Sequence, residues 1–259
     1  MQRVHLRFYE ELNDFLPDAH QKRDFESIFE LPRSVKDLIE SHGVPHVEVD
    51  LVLVNGVSVD FEHLVGDGDR ISVYPMFESL DLEGVTRLRP KPLRTPSFVL
   101  DVHLHTLARK LRMLGFDTIY SNTADDDLAE ISSRENRILL TRDIGLLKRS
   151  QLRRGLFVRS TDPVRQIEEI LDRLDLYALI SPFSRCIRCN GAITVIQIDA
   201  CINAGDRREI ERNVPQDVRD RNTSLHRCEG CEKFYWKGSH FERMLVEVER
   251  LKQRKTGDC

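Results

Sequence analysis

Four cysteines, spaced as two pairs, constrain the fold of this chain more than any other sequence feature. Cys186 and Cys189 form one C-x-x-C pair, and Cys228 and Cys231 form the other. Two residues between the thiols let each pair chelate one ion, and four thiolates favour Zn²⁺ in a closed tetrahedral site. Because such a site leaves no open coordination position, the pattern predicts a structural zinc ribbon. Reactive free thiols are the lesser alternative.

The segment between the two pairs spans 38 residues, more than a ribbon needs, which predicts an insertion. Gly191 and Gly230 are expected to give the two turns their backbone freedom. The remaining cysteines, Cys201 and Cys259, are interpreted as a small buried residue and as part of a frayed tail. Because the amino terminus shows no secretion signal, metal binding is favoured over disulfides.

Residues 1–80 carry the pattern of a small α+β roll. Apolar and polar residues alternate from Val4 as in a half-buried strand, and Ser34 precedes a helical spacing as a candidate N-cap. Asn55-Gly56 is a hairpin signal between two further strands. The order strand, helix, strand, strand follows from these signals.

A basic, proline-rich segment at 81–97 separates the roll from the rest of the chain. Its prolines disfavour helix and favour an extended linker. Its basic residues also suit contact with a nucleic-acid backbone. The residues concerned are Arg87, Arg89, Pro90, Lys91, Pro92, Arg94 and Pro96.

Acidic residues follow the predicted strands of the middle region, 98–178. Short apolar strands alternate there with amphipathic helices, which predicts a parallel, doubly wound α/β sheet. Asp101 and Asp143 each come after a strand, and the run Asp125–Asp127 opens the helix between them. Ligands of such sheets bind outside the carboxyl ends of the strands. These acids are therefore expected to converge on one edge of the sheet.

The grouping of acids indicates a metal site different from the ribbon. Clustered carboxylates repel one another unless a cation neutralises them, and Mg²⁺ and Mn²⁺ prefer oxygen ligands. Such an ion activates water and stabilises a cleaved phosphodiester. Taken singly, Asp101, Asp125 and Asp143 are explained equally well as N-caps or turn residues. Their joint placement favours the metal site, and no serine or cysteine nucleophile motif competes with it.

Basic residues are concentrated between Thr141 and Arg159, although the chain carries a net charge of −4. Six basic residues stand there against the single acid Asp143, a local charge of +5. Such a patch suits phosphate binding, but charge alone favours a solvated helix face.

Five motifs in fixed order extend from the middle region into the ribbon. They are Phe98-Val99-Leu100-Asp101, the stretch from Leu107 to Asp117, the stretch from Ile138 to Asp143, Cys186-x-x-Cys189-Asn190 and the stretch from Tyr235 to His240. Together they resemble the Mut-seven C-terminal RNase family, a PIN-like nuclease domain followed by a zinc ribbon, from Phe98 to about Met244. The resemblance implies hydrolysis of RNA phosphodiester bonds with Mg²⁺ or Mn²⁺.

The resemblance also implies roles for single residues. Asp101 matches the first acid of the family, Asp143 the aspartate of the Thr-Arg-Asp motif, and Asp125 or Asp126 the middle acid, with the register open. Asp162 is a weaker candidate for a fourth acid. The candidates for RNA contact, for which surface, ion-pair or packing roles are the alternatives, are Arg112, Arg142, Lys148, Arg149, Tyr235, Trp236, Lys237 and His240.

Three further motifs occur in the first 80 residues. They are Ser34-Val35-Lys36-Asp37-Leu38, Leu53-Val54-Asn55-Gly56 and Asp67-Gly68-Asp69-Arg70-Ile71. They resemble the ubiquitin-like sulfur-carrier fold. Because the stretch from Val73 to Glu78 runs on into the linker instead of ending in a free Gly-Gly, carrier chemistry is not expected. The resemblance instead implies an interaction module with a protein partner, or a substrate-binding module.

The sequence thus predicts an α/β protein with a ubiquitin-like domain at 1–80, a linker at 81–97, a PIN-like nuclease domain at 98–178 and a zinc ribbon with a terminal helix at 179–259. We expect a metal-dependent ribonuclease. We also expect a cytoplasmic protein, since no apolar run reaches the ~20 residues of a membrane helix. Two alternatives stay open. One is an RNA-binding adaptor with a degenerate nuclease site, and the other is a toxin-like nuclease regulated by its first domain.

Overall fold

The computed structural model describes residues 1–75, 88, 95–198 and 204–254. Within these ranges the chain forms three β-sheets, of five, four and three strands. Most of the predicted linker lies outside the described residues, as do Cys201 and Cys259. None of the helices in these ranges has both the length and the apolar content that a bilayer crossing needs.

The amino-terminal sheet is mixed and carries one α-helix. Its elements are β1 (Gln2–Phe8), β2 (Phe25–Phe29), α1 (Val35–Ser41), β3 (Val49–Val54), β4 (Val57–Val59) and β5 (Arg70–Pro75). The strand order is β2-β1-β5-β3-β4, with β1 parallel to β5 and the other pairs antiparallel. Leu6, Leu38 and Val73 are fully buried in its core. The predicted ubiquitin-like roll is confirmed, although the pattern omits β2, an edge strand whose central residue is Ser27.

Local signals act as predicted in this sheet. The Ser34 hydroxyl accepts a hydrogen bond from the Asp37 amide at 3.1 Å and caps α1. Asn55 and Gly56 both have positive φ, 52° and 84°, as a two-residue hairpin between β3 and β4 requires. The start of the helix and the hairpin are therefore set by neighbouring residues.

The second sheet is parallel and carries helices on both faces. Its elements are β6 (Phe98–Leu100), α2 (His105–Met113), β7 (Thr118–Tyr120), α3 (Asp125–Glu135), β8 (Ile138–Thr141), α4 (Ile144–Leu147), β9 (Gly155–Phe157) and α5 (Pro163–Arg173). The order β7-β6-β8-β9 places β6 and β8 side by side in the centre. Helices α2 and α5 pack on one face, and α3 and α4 on the other. The predicted parallel α/β sheet is confirmed, and α4 is an addition.

The third sheet forms the ribbon. Its elements are β10 (Ile193–Gln197), α6 (Ala204–Asn213), α7 (Gln216–Arg221), β11 (Ser224–Cys228) and β12 (Phe234–Tyr235). Helices α6 and α7 lie in the segment where the cysteine spacing predicts an insertion. Helix α8 (Ser239–Arg254) follows, and its Val248 and Leu251 are fully buried in the core of the parallel sheet. This helix therefore ties the ribbon to the sheet.

The amino-terminal domain packs against the parallel sheet beside β9. Glu48 is fully buried, and its carboxylate accepts a hydrogen bond from the Phe157 amide and pairs with Arg173 at 2.6 Å. Phe15 packs edge-on against Phe157, with ring centroids 5.6 Å apart. Val47 joins the apolar cluster beneath α3 and α4. Because a buried carboxylate needs a partner, the two domains complete each other's bonding here.

Candidate functional site

Asp101 lies at the carboxyl end of β6, a central strand of the parallel sheet. It is 6% exposed, and both carboxylate oxygens accept hydrogen bonds. One accepts from the His103 amide at 2.8 Å and caps the 3-10 helix Val102–Leu104, and the other accepts from the Thr141 hydroxyl. Asp101 is thus a helix N-cap at the carboxyl edge of the sheet, the edge at which parallel α/β sheets generally bind ligands.

Asp143 stands two residues beyond the end of β8, the strand next to β6. It is exposed, and one of its carboxylate oxygens accepts from the Leu146 amide at 3.1 Å and caps α4. The Thr141 hydroxyl links the two acids, because it donates to Asp101 and accepts from the Asp143 amide at 3.0 Å. Neighbouring strands therefore hold both aspartates at one edge, through a threonine to which the sequence pattern assigned no role.

The middle acids lie in the first turn of α3, and all are exposed. The carboxylate of Asp126 pairs with Arg149 at 3.0 Å, whereas the carboxylates of Asp125 and Asp127 bond to none of the described residues. Apart from the four cysteines, no three potential metal ligands in the described ranges lie within 4.8 Å of one another. The carboxylates therefore do not form a closed cage in this structure.

Asp162, the candidate for a fourth acid, is the N-cap of α5. Its carboxylate accepts hydrogen bonds from the amides of Arg165 at 3.0 Å and Val164 at 2.8 Å. These backbone bonds hold the pKa of Asp162 below its usual value. The observed role of this carboxylate is local, at the start of a helix.

The four cysteine sulfurs converge as their spacing predicts. All lie within 4.8 Å of one another, with 3.7 Å between the sulfurs of Cys186 and Cys231 and 3.4 Å between those of Cys189 and Cys228. A zinc tetrahedron with bonds of about 2.3 Å separates its sulfurs by about 3.8 Å. The donor set therefore fits Zn²⁺ in a structural site.

The two ribbon turns use positive φ at residues other than glycine. Asn190 and Glu232, each directly after the second cysteine of its pair, have φ of 71° and 58°. At Gly191 a Cβ would lie 2.9 Å from the Cys228 sulfur and 3.1 Å from the Gly230 backbone. The expectation that Gly191 and Gly230 supply turn freedom is corrected, because here glycine lets the two turns approach each other.

Arg112, a candidate RNA contact, instead joins the parallel sheet to the first ribbon turn. It is 7% exposed and donates to the carbonyls of Thr118 at 2.9 Å and Arg188 at 3.1 Å. Burial lowers the pKa of its guanidinium. These bonds give Arg112 a structural role, and its predicted contact with RNA phosphate stays a prediction.

A second contact between sheet and ribbon centres on Asp117. Its carboxylate accepts from the Asn190 side-chain amide at 2.8 Å and pairs with Arg137 at 2.8 Å and Arg185 at 3.4 Å. The Asn190 side-chain oxygen accepts in turn from the Thr118 amide at 2.9 Å. Burial alone would raise the pKa of Asp117, but the hydrogen bonds from Arg137 and Asn190 outweigh it and hold that pKa below its usual value.

Three other candidate RNA contacts are bonded elsewhere in the protein. Arg142 donates from one nitrogen to three backbone carbonyls in the segment after β9, at 2.5–2.8 Å. Lys148 donates to the Glu40 carbonyl of the amino-terminal domain at 2.7 Å. Arg149 pairs with Asp126, as described above. These bonds agree with the ion-pair and surface alternatives for the three side chains, and contact with RNA phosphate stays a prediction.

Several members of the basic run 141–159 contact other parts of the protein. Arg159 pairs with Asp14 of the amino-terminal domain at 2.7 Å and with Glu169 of α5 at 3.7 Å. Arg154 is buried, and Arg153 is exposed. Arg149 and Arg159 therefore pair with carboxylates, while Arg142 and Lys148 bond to neutral carbonyls.

The aromatic strip of the ribbon has a structural part and an open part. The Tyr235 hydroxyl lies 3.0 Å from the Cys186 sulfur, and burial together with this thiolate raises the pKa of Tyr235. Burial opposes ionisation of Cys186, but hydrogen bonds, first that from Tyr235, lower its pKa to about 6. Tyr235 also lines, together with Trp236, Lys237 and His240, a cavity of about 470 Å³ between the ribbon and α2.

Arg109 lines the same cavity from the exposed side of α2. The sequence pattern gave this residue no role, although it lies within the motif from Leu107 to Asp117. Its place on the polar face of an amphipathic helix is the signal that points to it, since the opposite face is buried.

Comparison with known families agrees with this architecture. Residues 96–248 match the Mut7-C RNAse domain, and residues 1–81 match the family described as Mut7-C ubiquitin. The first match covers more than half of the chain. The chain belongs to the Mut7-C RNase family. No curated protein and no solved structure gives a significant match.

Membership in the Mut7-C RNase family indicates a nuclease-type function. The matched range ends within α8, so it includes both the acid edge of the sheet and the four-cysteine cluster. The amino-terminal match gives the chain the ubiquitin-like domain that its motifs implied. The family resemblance drawn from the sequence is therefore confirmed for both parts.

Proposed function

We propose that the chain is a metal-dependent ribonuclease that hydrolyses RNA phosphodiester bonds at the carboxyl edge of its parallel sheet. The observation that carries this proposal is the pair Asp101 and Asp143, placed by adjacent strands and joined through the Thr141 hydroxyl. The nuclease-type function of the family supports the reaction class.

The acids at this edge suit a hard cation. Asp143 is exposed, and its second carboxylate oxygen has no described partner. Each oxygen of Asp101 accepts one hydrogen bond and keeps a further lone pair. Mg²⁺ often binds through one or two carboxylates and keeps waters and substrate phosphates as its other ligands. Asp101 and Asp143 would hold Mg²⁺ or Mn²⁺, which when bound supplies activated water and neutralises charge on the phosphate.

We assign the middle acid to Asp125 rather than Asp126. Asp126 is paired with Arg149, whereas Asp125 is exposed and without a described partner. Asp125 also occupies the first position of α3, where the helix dipole stabilises negative charge. Thr141 is a positioning residue, because one hydroxyl holds both the Asp101 carboxylate and the Asp143 backbone.

The other parts of the chain take supporting roles in this proposal. The ribbon would hold RNA through Trp236, Lys237 and His240, which line its open cavity. The ubiquitin-like domain at 1–80 would bind a protein partner. The nuclease domain at 98–178 and the ribbon at 179–259 would act as one unit, since Val248 and Leu251 of α8 are buried in the core of the sheet.

Substitution of the acids tests the proposal. Asp101→Asn and Asp143→Asn should each abolish Mn²⁺-dependent cleavage of mixed RNA while the protein stays folded, because the amide oxygen of each asparagine still accepts the helix-capping hydrogen bond. At position 101 the bond from the Thr141 hydroxyl is lost, because the amide nitrogen does not accept hydrogen bonds. Asp125→Asn should slow cleavage more than Asp126→Asn. Asp162→Asn is the matched control and should keep full activity, since asparagine caps a helix about as well as aspartate.

Wild-type rates in both Asp101→Asn and Asp143→Asn would refute the proposal. RNA binding that is insensitive to chelator, with no cleavage by the unaltered protein, would favour an adaptor. The lack of a closed carboxylate cage among the described residues is the observation that keeps this second candidate in view.

A further inference from the structure

A cleft of about 470 Å³ separates α2 from the ribbon, and we call it the ribbon cleft. Its apolar wall is rich in aromatic side chains, including the half-buried Phe183 and Trp236. Phe183 packs on Phe241 with ring centroids 4.7 Å apart. The volume falls within the roughly 300–1,000 Å³ of small-ligand pockets. Such a wall suits a flat nucleobase, because aromatic side chains stack on any base.

The rim of the ribbon cleft is basic. Arg109 and Lys237 are exposed. Neither side chain forms an ion pair with a described residue or donates a hydrogen bond to one. Lys233 and Arg185 add two further cations, of which Arg185 pairs with Asp117. Within the described ranges no side chain that lines the cleft is acidic. This charge favours a phosphate-bearing ligand over an uncharged apolar one.

A smaller cavity of about 320 Å³ adjoins the ribbon cleft on the side of the parallel sheet. The two cavities share Arg109, Ile187 and Lys233 in their walls. The smaller one is also lined by His105 and Tyr120, whose rings lie 5.2 Å apart. The shared residues place the two cavities side by side, and we treat their walls as one surface.

This surface reaches the edge at which Asp101 stands. Tyr120 ends β7, and its hydroxyl donates to the carbonyl of Val102 at 3.2 Å, directly after Asp101 in the chain. His105 begins α2 and lies one helical turn, about 6 Å, before Arg109. The cations therefore lead from the acid edge to the ribbon cleft.

We propose that the ribbon cleft holds one unpaired RNA base, stacked on Trp236, while the neighbouring phosphates follow Lys233 and Arg109 to the acid edge. The substrate class is then single-stranded RNA, because a paired base keeps both faces stacked within its duplex and cannot enter the cleft. That the ligand is RNA rests on the proposed ribonuclease function. The structure shows the cleft, its aromatic wall and its charge independently of that proposed function.

The chain contains one tryptophan, Trp236, so tryptophan fluorescence reports on the cleft directly. A short single-stranded RNA of mixed sequence is titrated into the full-length, zinc-loaded protein without other divalent ions. It should quench the fluorescence, and the same strand annealed to its complement should not. Equal quenching and equal affinity for the two forms would overturn the proposal.

Variants locate the binding, measured by anisotropy of labelled RNA. Arg109→Gln should weaken single-strand affinity about tenfold without a change in unfolding, because this exposed side chain bonds to no described residue. Trp236→Ala should weaken it about tenfold, and Trp236→Phe should recover most of the loss. Arg165→Gln, an exposed arginine of α5 outside both cavities, is the matched control and should bind as the unaltered protein does.

The outcomes separate this proposal from the ribonuclease itself. If cleavage persists while Arg109→Gln and Trp236→Ala bind single strands normally, the cleft proposal fails and the ribonuclease stands. If these residues bind single strands but the protein cuts no RNA with Mn²⁺, the cleft stands and the ribonuclease fails. Poly-glutamate that quenches Trp236 and displaces RNA with equal affinity would assign the cleft to an acidic protein segment and overturn the proposal.

Discussion

The basic run 141–159 and the basic rim of the ribbon cleft differ in whether their cations find bonding partners within the protein. The run 141–159 is dense in sequence, yet Lys148 and Arg159 bond to the amino-terminal domain. The cations of the ribbon cleft come from distant parts of the sequence, and Arg109 and Lys237 bond to none of the described residues. The dense run therefore stabilises a domain contact, and the scattered set is free to attract a ligand.

This difference shows that a basic surface is available to a ligand when its cations lack hydrogen-bond acceptors within the protein. The density of positive charge in the sequence does not decide it. The run 141–159 meets carboxylates and carbonyls supplied by another domain, such as Asp14 and the Glu40 carbonyl. The described lining of the ribbon cleft holds no carboxylate side chain, and Arg185 is its only cation with a described carboxylate partner, Asp117. Exposed cations without acceptors attract polyanions, whereas bonded ones are screened by their partners.

We expect the four cysteines to hold zinc, and loss of this ion should produce the largest difference between the effects at the two basic surfaces. A strong chelator, or Cys186→Ser, is expected to unfold the ribbon, since structural zinc contributes roughly 10–16 kcal/mol in zinc-finger peptides. RNA-induced quenching of Trp236 should disappear. Hydrogen exchange around Lys148 and Arg159 should stay slow, because their partners lie outside the ribbon. Undiminished RNA quenching in the zinc-free protein would contradict this expectation.

Glu48 offers the next largest effect, on the opposite surface. Glu48→Ala should lower the free energy of unfolding by roughly 3–5 kcal/mol, because it leaves the partly buried Arg173 without this carboxylate and the Phe157 amide without an acceptor. Urea denaturation measures the loss, and RNA affinity should stay within about twofold. Glu130→Ala removes an exposed carboxylate of α3 and should cost less than about 1 kcal/mol. Equal losses in the two variants would rule out the buried pair as the reason.

A lysine pair sharpens the comparison. Lys148→Gln should lower the free energy of unfolding by about 1 kcal/mol through its lost bond to Glu40, without altering RNA affinity. Lys237→Gln should leave stability unchanged and reduce the salt dependence of RNA binding by about one unit of slope. Denaturation and RNA titrations at several salt concentrations test both variants. The reverse pattern would exchange the roles that we assign to the two surfaces.

Asp117, which anchors the ribbon beside the cleft, should give an effect on stability that is no larger than that of Lys148 and that depends on pH. Its pKa is held below the usual 3.8 by Arg137 and Asn190 against the opposing effect of burial. A lowered pKa means that its stabilisation is complete above pH 3.8 and is lost as the pH falls through the folded value. Asp117→Asn should therefore cost about 1 kcal/mol at neutral pH. The difference from the unaltered protein should vanish in acid, as urea titrations over pH would show, and a constant difference would count against this bonding.

Short-range signals account for what the sequence predicts well. The Ser34 cap and the Asn55-Gly56 hairpin depend on contacts within a few residues. The alternation of apolar strands and amphipathic helices predicts the parallel sheet, and a strand that precedes Asp101 must place it at the carboxyl edge. Each of these features depends on residues that are close to one another in the sequence.

Contacts with RNA are harder to predict from neighbouring residues in the sequence. Arg112, Arg142, Lys148 and Arg149 are basic in sequence, yet each bonds to a carbonyl or carboxylate brought near by folding. Arg109 drew no assignment, although it lies at the junction of two cavities. Whether a cation is free depends on acceptors that lie far away in the chain, and the charge pattern does not contain them.

The sequence by itself determined that four thiols would form a zinc-type site, that a ubiquitin-like roll would precede a parallel α/β sheet, and that Asp101 and Asp143 would follow its strands. Only the tertiary structure decided that Thr141 joins those acids, that the basic run packs on the first domain, and that a basic aromatic cleft opens beside α2. The physical reason is range. Capping, chelation and strand patterning act between near neighbours, whereas neutralisation and cavity formation depend on which distant surfaces meet.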